Sequence, residues 1–138
     1  IKKNNFQTEL VPVIFIENEF LRNFLHENIE QFKMFGYNFL LLDTYSKDAG
    51  NIFEICSQDY LRTLLKQSSL NSLNIGLAGK LNFSNIPQLV KLQPKIVGFR
   101  SAVCLDENRK KELSVTKLKK LYYSITSAKR PAIHAAGA

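Results

Sequence analysis

Four dense apolar runs recur along the chain, and each is followed by a segment with helical spacing. The runs are Val11–Ile16, Phe39–Leu42, Leu73–Ala78 and Ile96–Phe99. Uninterrupted runs of this length are typical of strands that are buried on both faces, as in parallel sheets. Pro12 stands near the start of the first run, where a strand tolerates a proline. The pattern therefore predicts a chain in which strands and helices alternate four times.

Apolar residues at intervals of three and four predict an amphipathic helix after each strand. The first helix should end near Gly36, the third should be capped by Ser84 and closed by Pro94, and Ser114 should open the last one. The predicted inner faces are Leu21, Phe24, Leu25, Asn28 and Phe32 in the first helix, Ile52, Phe53 and Cys56 and then Tyr60, Leu61, Leu64 and Leu65 in the second region, Ile86, Leu89 and Val90 in the third, and Val115, Leu118, Leu121, Tyr122 and Ile125 in the last.

The alternation of strands and helices limits the possible folds to two. Short links with intervening helices require right-handed crossovers and a parallel sheet. One solution is a small doubly wound domain. The other is half of a (β/α)₈ barrel, whose eight units need roughly 250 residues. The periodicity fits both architectures equally.

Composition places the chain among soluble globular proteins. Its 138 residues are 45% apolar and 22% charged, enough for one domain with a core. No stretch approaches the ~20 apolar residues of a membrane helix, and no secretory signal is visible. Cys56 and Cys104 are far apart, which favours a reduced cytoplasmic protein with both cysteines buried as small hydrophobic residues. The two histidines, His26 and His134, and the two cysteines do not have the short spacing of metal-binding motifs, so we expect no metal. We also expect no cofactor.

The net charge of +7 is concentrated near the C-terminus. Residues 106–130 hold eight Lys and Arg against three acidic residues, which is +5 of the total. Such a run is typical of the solvated face of a helix, and less often attracts phosphate or nucleic acid. No stacking platform, recognition helix or zinc finger accompanies it. Nucleic acid is therefore not an expected partner.

The second apolar run stops abruptly at Asp43, and Lys47 follows four residues later. In α/β folds ligands bind at the C-terminal ends of the strands. A carboxylate and an amine at such an end are candidates for proton transfer or carbonyl chemistry. The alternative interpretation is an aspartate that caps the next segment and a solvated lysine.

Three strings occur in order: LLLDTYSKDAGNIF (40–53), GLAGKL (76–81) and GFRSAVC (98–104). Together they resemble the C-terminal half of the (5-formylfuran-3-yl)methyl phosphate synthase family over about residues 11–125. Members of that family are TIM-barrel lyases of methanofuran biosynthesis that condense two molecules of glyceraldehyde-3-phosphate. The resemblance implies an α/β fold, the C-terminal half of a (β/α)₈ barrel with four parallel βα units.

The resemblance also implies roles for individual residues. Asp43 matches an active-site aspartate, and Lys47 matches a lysine that takes part in acid–base chemistry. The Schiff-base lysine belongs to the first strand of the family's barrel, and neither it nor a second upstream lysine has a counterpart in the matched region. The phosphate of the substrate is expected in the loops after the third and fourth strands, on Gly79, Lys80, Gly98, Arg100 and Ser101. Arg100 is the strongest of these candidates because its fork matches phosphate geometry.

The sequence departs from the family pattern in these same loops. Glycine or serine is usual where Lys80 and Ser101 stand, Ala49 is an insertion or replacement before Gly50, and a glycine-rich stretch before Arg109 is missing. Backbone amides in glycine-rich loops approach phosphate oxygens closely, so these changes affect the expected phosphate site.

We predict a half-barrel domain over residues 1–127 and a flexible tail over 128–138. An N-terminal barrel half, or self-association, should complete it, and a phosphorylated small molecule should be the substrate. Two other functions stay open. One is a non-catalytic barrel homologue that acts as a scaffold. The other is a receiver-like doubly wound regulatory domain with Asp43 as phospho-acceptor, although Glu17 alone follows the first strand and Arg100, rather than lysine, follows the last.

Overall fold

The computed structural model describes residues 8–46 and 48–128. Within them, four strands alternate with helices. The strands are β1 (Val13–Phe15), β2 (Phe39–Asp43), β3 (Asn74–Leu77) and β4 (Ile96–Val97). The helices are α1 (Glu19–Glu27), α2 (Ile29–Met34), α3 (Ile52–Ile55), α4 (Gln58–Leu70), α5 (Ile86–Leu92) and α6 (Val115–Ala128), and the 3₁₀ turns are Phe83–Asn85, Ser101–Val103 and Leu105–Glu107.

The strands form one parallel sheet in the order β1-β2-β3-β4. The predicted parallel and sequential arrangement is therefore confirmed. A doubly wound domain would instead place β1 between two other strands, because its chain reverses direction after the first units. The observed order contradicts that alternative, and with it the receiver-like fold.

Three of the strands are shorter than the apolar runs that predicted them, whereas β2 extends one residue beyond its run to Asp43, and most of the shortening lies in the two edge strands. β1 has three residues and β4 has two. Pairing nevertheless continues past the ends of β1, because the carbonyl of Pro12 accepts from the amide of Leu41 at 2.9 Å and the amide of Ile16 donates to Asp43 at 3.1 Å. An edge strand has a neighbour on one side only, so its regular pairing ends sooner.

One face of the sheet is covered by helices. The register aligns Leu40 with Ile75, and Leu42 with Leu77, so all four side chains point to the same face. Each is at most 1% exposed. They pack in a single hydrophobic cluster with residues of the helices: Leu25, Ile29, Leu61, Leu64, Leu89 and Leu92. This cluster is the larger of the two hydrophobic clusters in the described part of the chain.

The opposite face of the sheet is apolar but open. Val13, Leu41, Gly76 and Ile96 are aligned across it by the register. Val13 is 45% exposed and Ile96 is 49% exposed, and none of the four belongs to a hydrophobic cluster of the described residues. We call this surface, together with Phe15 and Phe39, the open face. In a doubly wound fold helices would cover it.

Two helix predictions are wrong in detail. The single helix predicted over residues 21–32 is divided at Asn28, which leaves helical geometry at φ −121° and whose side-chain amide donates to the carbonyl of Phe24 at 2.8 Å. Asparagine competes for backbone partners in this way and so favours helix ends. Likewise Ser84 does not cap α5: the side chain of Asn82 accepts from the amide of Ser84 at 2.9 Å and caps the 3₁₀ turn Phe83–Asn85, which leads directly into α5.

The last helix begins after Ser114, as predicted, because that side chain accepts from the amide of Lys117. Its predicted inner face is only partly correct. Leu121 is buried and Ile125 packs beside it, whereas Val115, Leu118 and Tyr122 are exposed. α6 follows β4, an edge strand of only two residues. The neighbouring elements are therefore too small to cover the whole apolar side of α6.

Both cysteines are buried, as expected, and neither forms a disulfide. Within residues 8–46 and 48–128, no helix has the length and apolar content required to cross a membrane. Ala128 is the last residue of α6, so it belongs to that helix rather than to the predicted tail, and residues 129–138 lie outside the described part of the chain.

Candidate active site at the C-terminal edge of the sheet

The polar residues singled out by the sequence lie along one edge of the sheet. Asp43 ends β2, Gly79 follows β3 by two residues, and Gly98 and Arg100 follow β4. Because all four strands are parallel, their C-terminal ends meet at the same edge. A further acidic residue, Glu17, follows the end of β1 by two residues. Lys47 lies outside the described residues.

Asp43 is half-buried, and its carboxylate is held by the chain that follows it. Oδ1 accepts from the amide of Thr44 at 2.7 Å. This short local bond fixes the carboxylate at the end of β2. The backbone carbonyl of Asp43 accepts a hydrogen bond from the amide of Ile16, so the carboxylate lies beside the chain that leaves β1. An aspartate with one oxygen bound to an amide keeps the other oxygen for a ligand or a proton.

The described residues on either side of position 47 are both hydrogen-bonded. Ahead of it, the amide of Ser46 donates to Oε1 of Glu17 at 2.8 Å, across 29 positions in sequence. Behind it, the amide of Asp48 donates to the hydroxyl of Ser46 at 3.2 Å. Sequence reasoning did not select Glu17 as a site residue. A signal was present, since Glu17 is the first polar residue after the first apolar run, just as Asp43 is after the second.

Glu17 is itself held in position by a residue of α1. The guanidinium of Arg22 donates to the backbone carbonyls of Ile16 at 2.5 Å and of Glu17 at 3.2 Å. The hydroxyl of Tyr60 in turn donates to the carbonyl of Arg22 at 3.0 Å. Burial raises the pKa of Tyr60 to about 12, with a smaller contribution from Cys56 and an opposing one from Arg22. Burial also raises the pKa of the Cys56 thiol, which Arg22 partly opposes.

Gly79 turns the chain after β3 at a position where a side chain does not fit. Its φ is +96°, and a Cβ atom there would lie 2.7 Å from Cγ2 of Thr44. The close approach joins the loop after β3 to the loop after β2, next to Asp43. The carbonyl of Gly79 also accepts from the amide of Ile52 at 3.1 Å, which fixes the start of α3. Glycine is required here both by the backbone angle and by space.

The loop after β4 begins with a second closely packed glycine. A Cβ atom at Gly98 would lie 3.1 Å from the Cβ of Ala78. Arg100 follows with an exposed side chain, and its carbonyl accepts a hydrogen bond from the thiol of Cys104 at 3.2 Å. Ser101 then opens a 3₁₀ turn. The backbone of this loop is therefore fixed, while the guanidinium of Arg100 extends into solvent.

A cleft of about 300 Å³ lies between the loops after β3 and β4. Its lining residues are Lys80, Ser101, Glu107, Asn108, Arg109 and Lys110. The structure thus brings together two of the five predicted phosphate ligands, Lys80 and Ser101. Arg100, the strongest candidate from sequence, does not line this cleft. Arg109 and Lys110, which were assigned only to a solvated basic run, do line it.

Comparison with known proteins decides the family. The sequence model of the 4-HFC-P synthase family matches residues 1–122. The chain belongs to this family. A curated relative from Archaeoglobus fulgidus, named (5-formylfuran-3-yl)methyl phosphate synthase, is 32% identical over 69 residues, which cover 50% of this chain and 29% of the relative. The resemblance stated from the three sequence strings is therefore confirmed.

Two further relatives with the same name support this assignment. The protein from Methanosarcina acetivorans is 30% identical over 74 residues, covering 54% of this chain and 32% of the relative. The protein from Methanococcus maripaludis is 31% identical over 74 residues, covering 54% and 31%. In each case the matched region spans about a third of the relative's length. The family match includes all four strands and every site residue discussed above.

Proposed function

We propose that this member of the 4-HFC-P synthase family is the C-terminal half of a (β/α)₈ barrel, with β1–β4 as strands five to eight. Two features support the proposal: the strands are parallel and sequential, and helices cover one face only. In a closed barrel, helices surround the sheet and the inward-facing side chains fill the interior. The open face, with Val13, Leu41 and Ile96, corresponds to that interior.

The two ends of the half-barrel also carry exposed apolar side chains. At one end, Phe20 and Phe24 of α1 are exposed and stack with ring centroids 6.4 Å apart. At the other, Val115, Leu118 and Tyr122 of α6 are exposed. In a complete barrel each of these helices has a neighbour on its outer side. The occupant we propose is the set of N-terminal βα units of the family's barrel, which the curated relatives are long enough to contain.

The complete protein, in this proposal, condenses two molecules of glyceraldehyde-3-phosphate to (5-formylfuran-3-yl)methyl phosphate, with loss of inorganic phosphate and water. It thereby contributes to methanofuran biosynthesis. The observation that carries the proposal is the placement of Asp43 at the same sheet edge as the loops of Gly79 and Arg100, with Ser46 of the following loop hydrogen-bonded to Glu17. That edge is where enzymes of this architecture bind substrates.

Lys47 and Asp43 would carry out proton transfer. The condensation requires a base that removes a proton beside a carbonyl and an acid that protonates the new alkoxide. An ammonium group beside a carboxylate can shuttle both protons. The bond from the amide of Ser46 to Glu17 holds the chain that follows Asp43, and proton transfer by Asp43 depends on such positioning.

The phosphate of the substrate would bind in the loops after β3 and β4. Gly79 and Gly98 begin these two loops, and Lys80, Arg100 and Ser101 supply cations and a hydroxyl. The lysine that forms the covalent imine would come from the N-terminal units, as the family resemblance implies. Lys47 is therefore assigned proton transfer and not covalent attack.

Borohydride trapping with glyceraldehyde-3-phosphate tests these roles. We expect no reduced adduct on the 138-residue chain alone, and one adduct outside residues 1–138 on the complete protein. The matched variant is Lys47→Ala in the complete protein. It should still form the adduct, because the imine lysine is intact, while turnover falls by roughly 10²–10⁴, the range for loss of a general acid–base group.

Each other outcome of this experiment contradicts a specific part of the proposal. A stoichiometric adduct mapped to Lys47 on the isolated chain would show that Lys47 is the nucleophile. A complete protein that forms no adduct and no product would support the scaffold function instead. An unchanged turnover in Lys47→Ala would remove this residue from the mechanism.

A further inference from the structure

An aromatic pair lies at the C-terminal edge of the sheet. Phe15 is the last residue of β1, and Tyr45 lies in the loop that follows β2. Their ring centroids are 5.3 Å apart and the ring planes are inclined at 68°, an edge-to-face arrangement. Phe15 is 38% exposed and Tyr45 is 79% exposed, and neither packs in a hydrophobic cluster of residues 8–46 and 48–128. The two rings therefore present apolar surface at the place where the strands end.

The pair lies beside Asp43, on the same face of the sheet. The register pairs Phe15 with Asp43 across β1 and β2, and side chains paired in this way project from one face. Adjacent strands are about 4.8 Å apart, so the Phe15 ring and the carboxylate begin at neighbouring positions. Asp43 follows Leu41 by two residues, which places it on the open face as well. In the proposed barrel this part of the open face is the mouth of the interior.

This position distinguishes the pair from the other aromatic side chains. Each of the other aromatic pairs in residues 8–46 and 48–128 includes at least one helix residue. Tyr122 and Tyr123, for example, are exposed neighbours within α6. Phe15 and Tyr45 instead join the end of a strand to a loop of the edge where barrel enzymes bind their substrates.

The starting substrate of the proposed reaction does not account for an aromatic surface at this point. Every carbon of glyceraldehyde-3-phosphate carries an oxygen, as an aldehyde, a hydroxyl or a phosphate ester, so the molecule has no apolar face. Condensation and loss of water convert two such molecules into a planar furan ring, whose two faces are apolar. Aromatic side chains pack against such rings in offset or edge-to-face geometry. The pair therefore suits the dehydrated species better than the substrate.

We propose that Phe15 and Tyr45 form an aromatic wall that packs against the furan ring of the product and of the dehydrated intermediates before it. The inference rests on the proposed function and deepens it, because it assigns recognition of the ring to two residues that no comparison names. Contacts that form only as the ring loses its hydroxyls and flattens stabilise late transition states more than the substrate. The wall thus contributes to kcat rather than to KM.

Two phosphate esters that differ only in their ring test the wall without turnover. Furan-3-ylmethyl phosphate is planar and has no aldehyde, so it cannot form an imine with a lysine. (Oxolan-3-yl)methyl phosphate has a similar size but a saturated, puckered ring. Calorimetric titration of the complete protein should show that the furan ester binds about fivefold more tightly, the size of one aromatic contact. In Phe15→Leu combined with Tyr45→Ala, this preference should fall below about twofold.

The same double variant should lower kcat and leave KM for glyceraldehyde-3-phosphate unchanged, because the wall does not contact the substrate. Leucine keeps an apolar side chain at position 15, and Tyr45 is mostly exposed, so the fold is expected to persist. The single variant Tyr45→Ala, which removes only the more exposed ring, should already reduce the preference for the furan ester.

Tyr123→Ala is the matched control, because it removes an exposed tyrosine from the aromatic pair of α6. It should leave the preference unchanged. An equal loss of affinity for both esters in the double variant would show that the two rings only fill apolar space, and would overturn the proposal. An undiminished preference for the furan ester in the double variant, or the same reduction in Tyr123→Ala, would overturn it as well.

This test and the trapping experiment fail independently. If trapping on the complete protein fails while the preference for the furan ester requires Phe15 and Tyr45, the aromatic wall stands and the condensation is wrong. If turnover is intact and the double variant keeps the preference, the condensation stands and the aromatic wall is wrong.

Discussion

The two faces of β2 show how one strand serves two different environments. Leu40 and Leu42 are completely buried beneath helices, whereas Leu41, between them, points to the open face and belongs to no hydrophobic cluster of the described residues. All three residues are leucine, so the difference lies in what covers them. A strand that is apolar on both faces but covered on one is suited to a barrel, in which the second face is enclosed by other strands.

The largest expected effect comes from the covered face. Leu42→Ala should reduce the free energy of unfolding by about 3–5 kcal/mol, because it leaves a cavity in the core, while Leu41→Ala should cost only about 1 kcal/mol. Chemical denaturation of both variants of the 138-residue chain measures the difference. Equal costs would show that the two faces are equally buried in solution.

The same pair sharpens the comparison in the complete protein. There the N-terminal units should cover the open face, so Leu41→Ala should cost about 2–4 kcal/mol, close to the value for Leu42→Ala. If Leu41→Ala stays near 1 kcal/mol in the complete protein, the open face is not a barrel interior.

A second comparison separates the sheet edge from an ordinary turn. Gly79 and Gly36 both have φ above +90°, but only Gly79 lies against another residue. Gly79→Ala should cost about 2–4 kcal/mol, from the backbone conformation and the contact with Thr44. Gly36→Ala should cost about 1 kcal/mol, since nothing lies within 4 Å of its Cβ position. Thermal or chemical unfolding measures the loss of stability in each variant. If the two losses differ by less than about 0.5 kcal/mol, the contact between position 79 and Thr44 is refuted.

The smallest expected effect is the pH dependence of stability that arises from Tyr60 and Cys56, on the side of the sheet that helices cover. The pKa of Tyr60 is raised to about 12 in the folded protein from 10.0, so between these values the unfolded chain loses the phenolic proton first. The contribution of Tyr60 to stability should be full below pH 10 and should be lost as the pH rises towards 12. The raised pKa of Cys56 makes the decline begin nearer pH 9.

Tyr60→Phe isolates this contribution. At neutral pH it should cost about 1 kcal/mol, because the hydrogen bond to the carbonyl of Arg22 is lost. Above pH 10 its stability should decline less steeply than that of the unmodified chain, since one ionising group is gone. Parallel slopes for the two proteins, followed by denaturation from pH 8 to 12, would show that Tyr60 does not contribute.

Local patterns in the sequence were sufficient for the order of the elements. The apolar runs, such as Phe39–Leu42, and the helical spacing between them predicted four parallel strands in sequence order, because crossover connections of this length allow few alternatives. They also placed Asp43, Gly79 and Arg100 at strand ends, and the strings around them indicated the family. The break at Asn28 was harder to foresee, since one side-chain bond to Phe24 outweighs a periodicity that continues past it.

Only the tertiary structure decided which apolar residues are covered and which charges are free. A run such as LLLD predicts burial on both faces, yet burial depends on elements distant in sequence, so Leu41 and Leu42 differ. The bond between Glu17 and Ser46 spans 29 positions, and no periodicity reports it. Likewise a basic run has one sign of charge throughout, but Lys111 is paired and Arg109 is not, because pairing is a matter of distance in space.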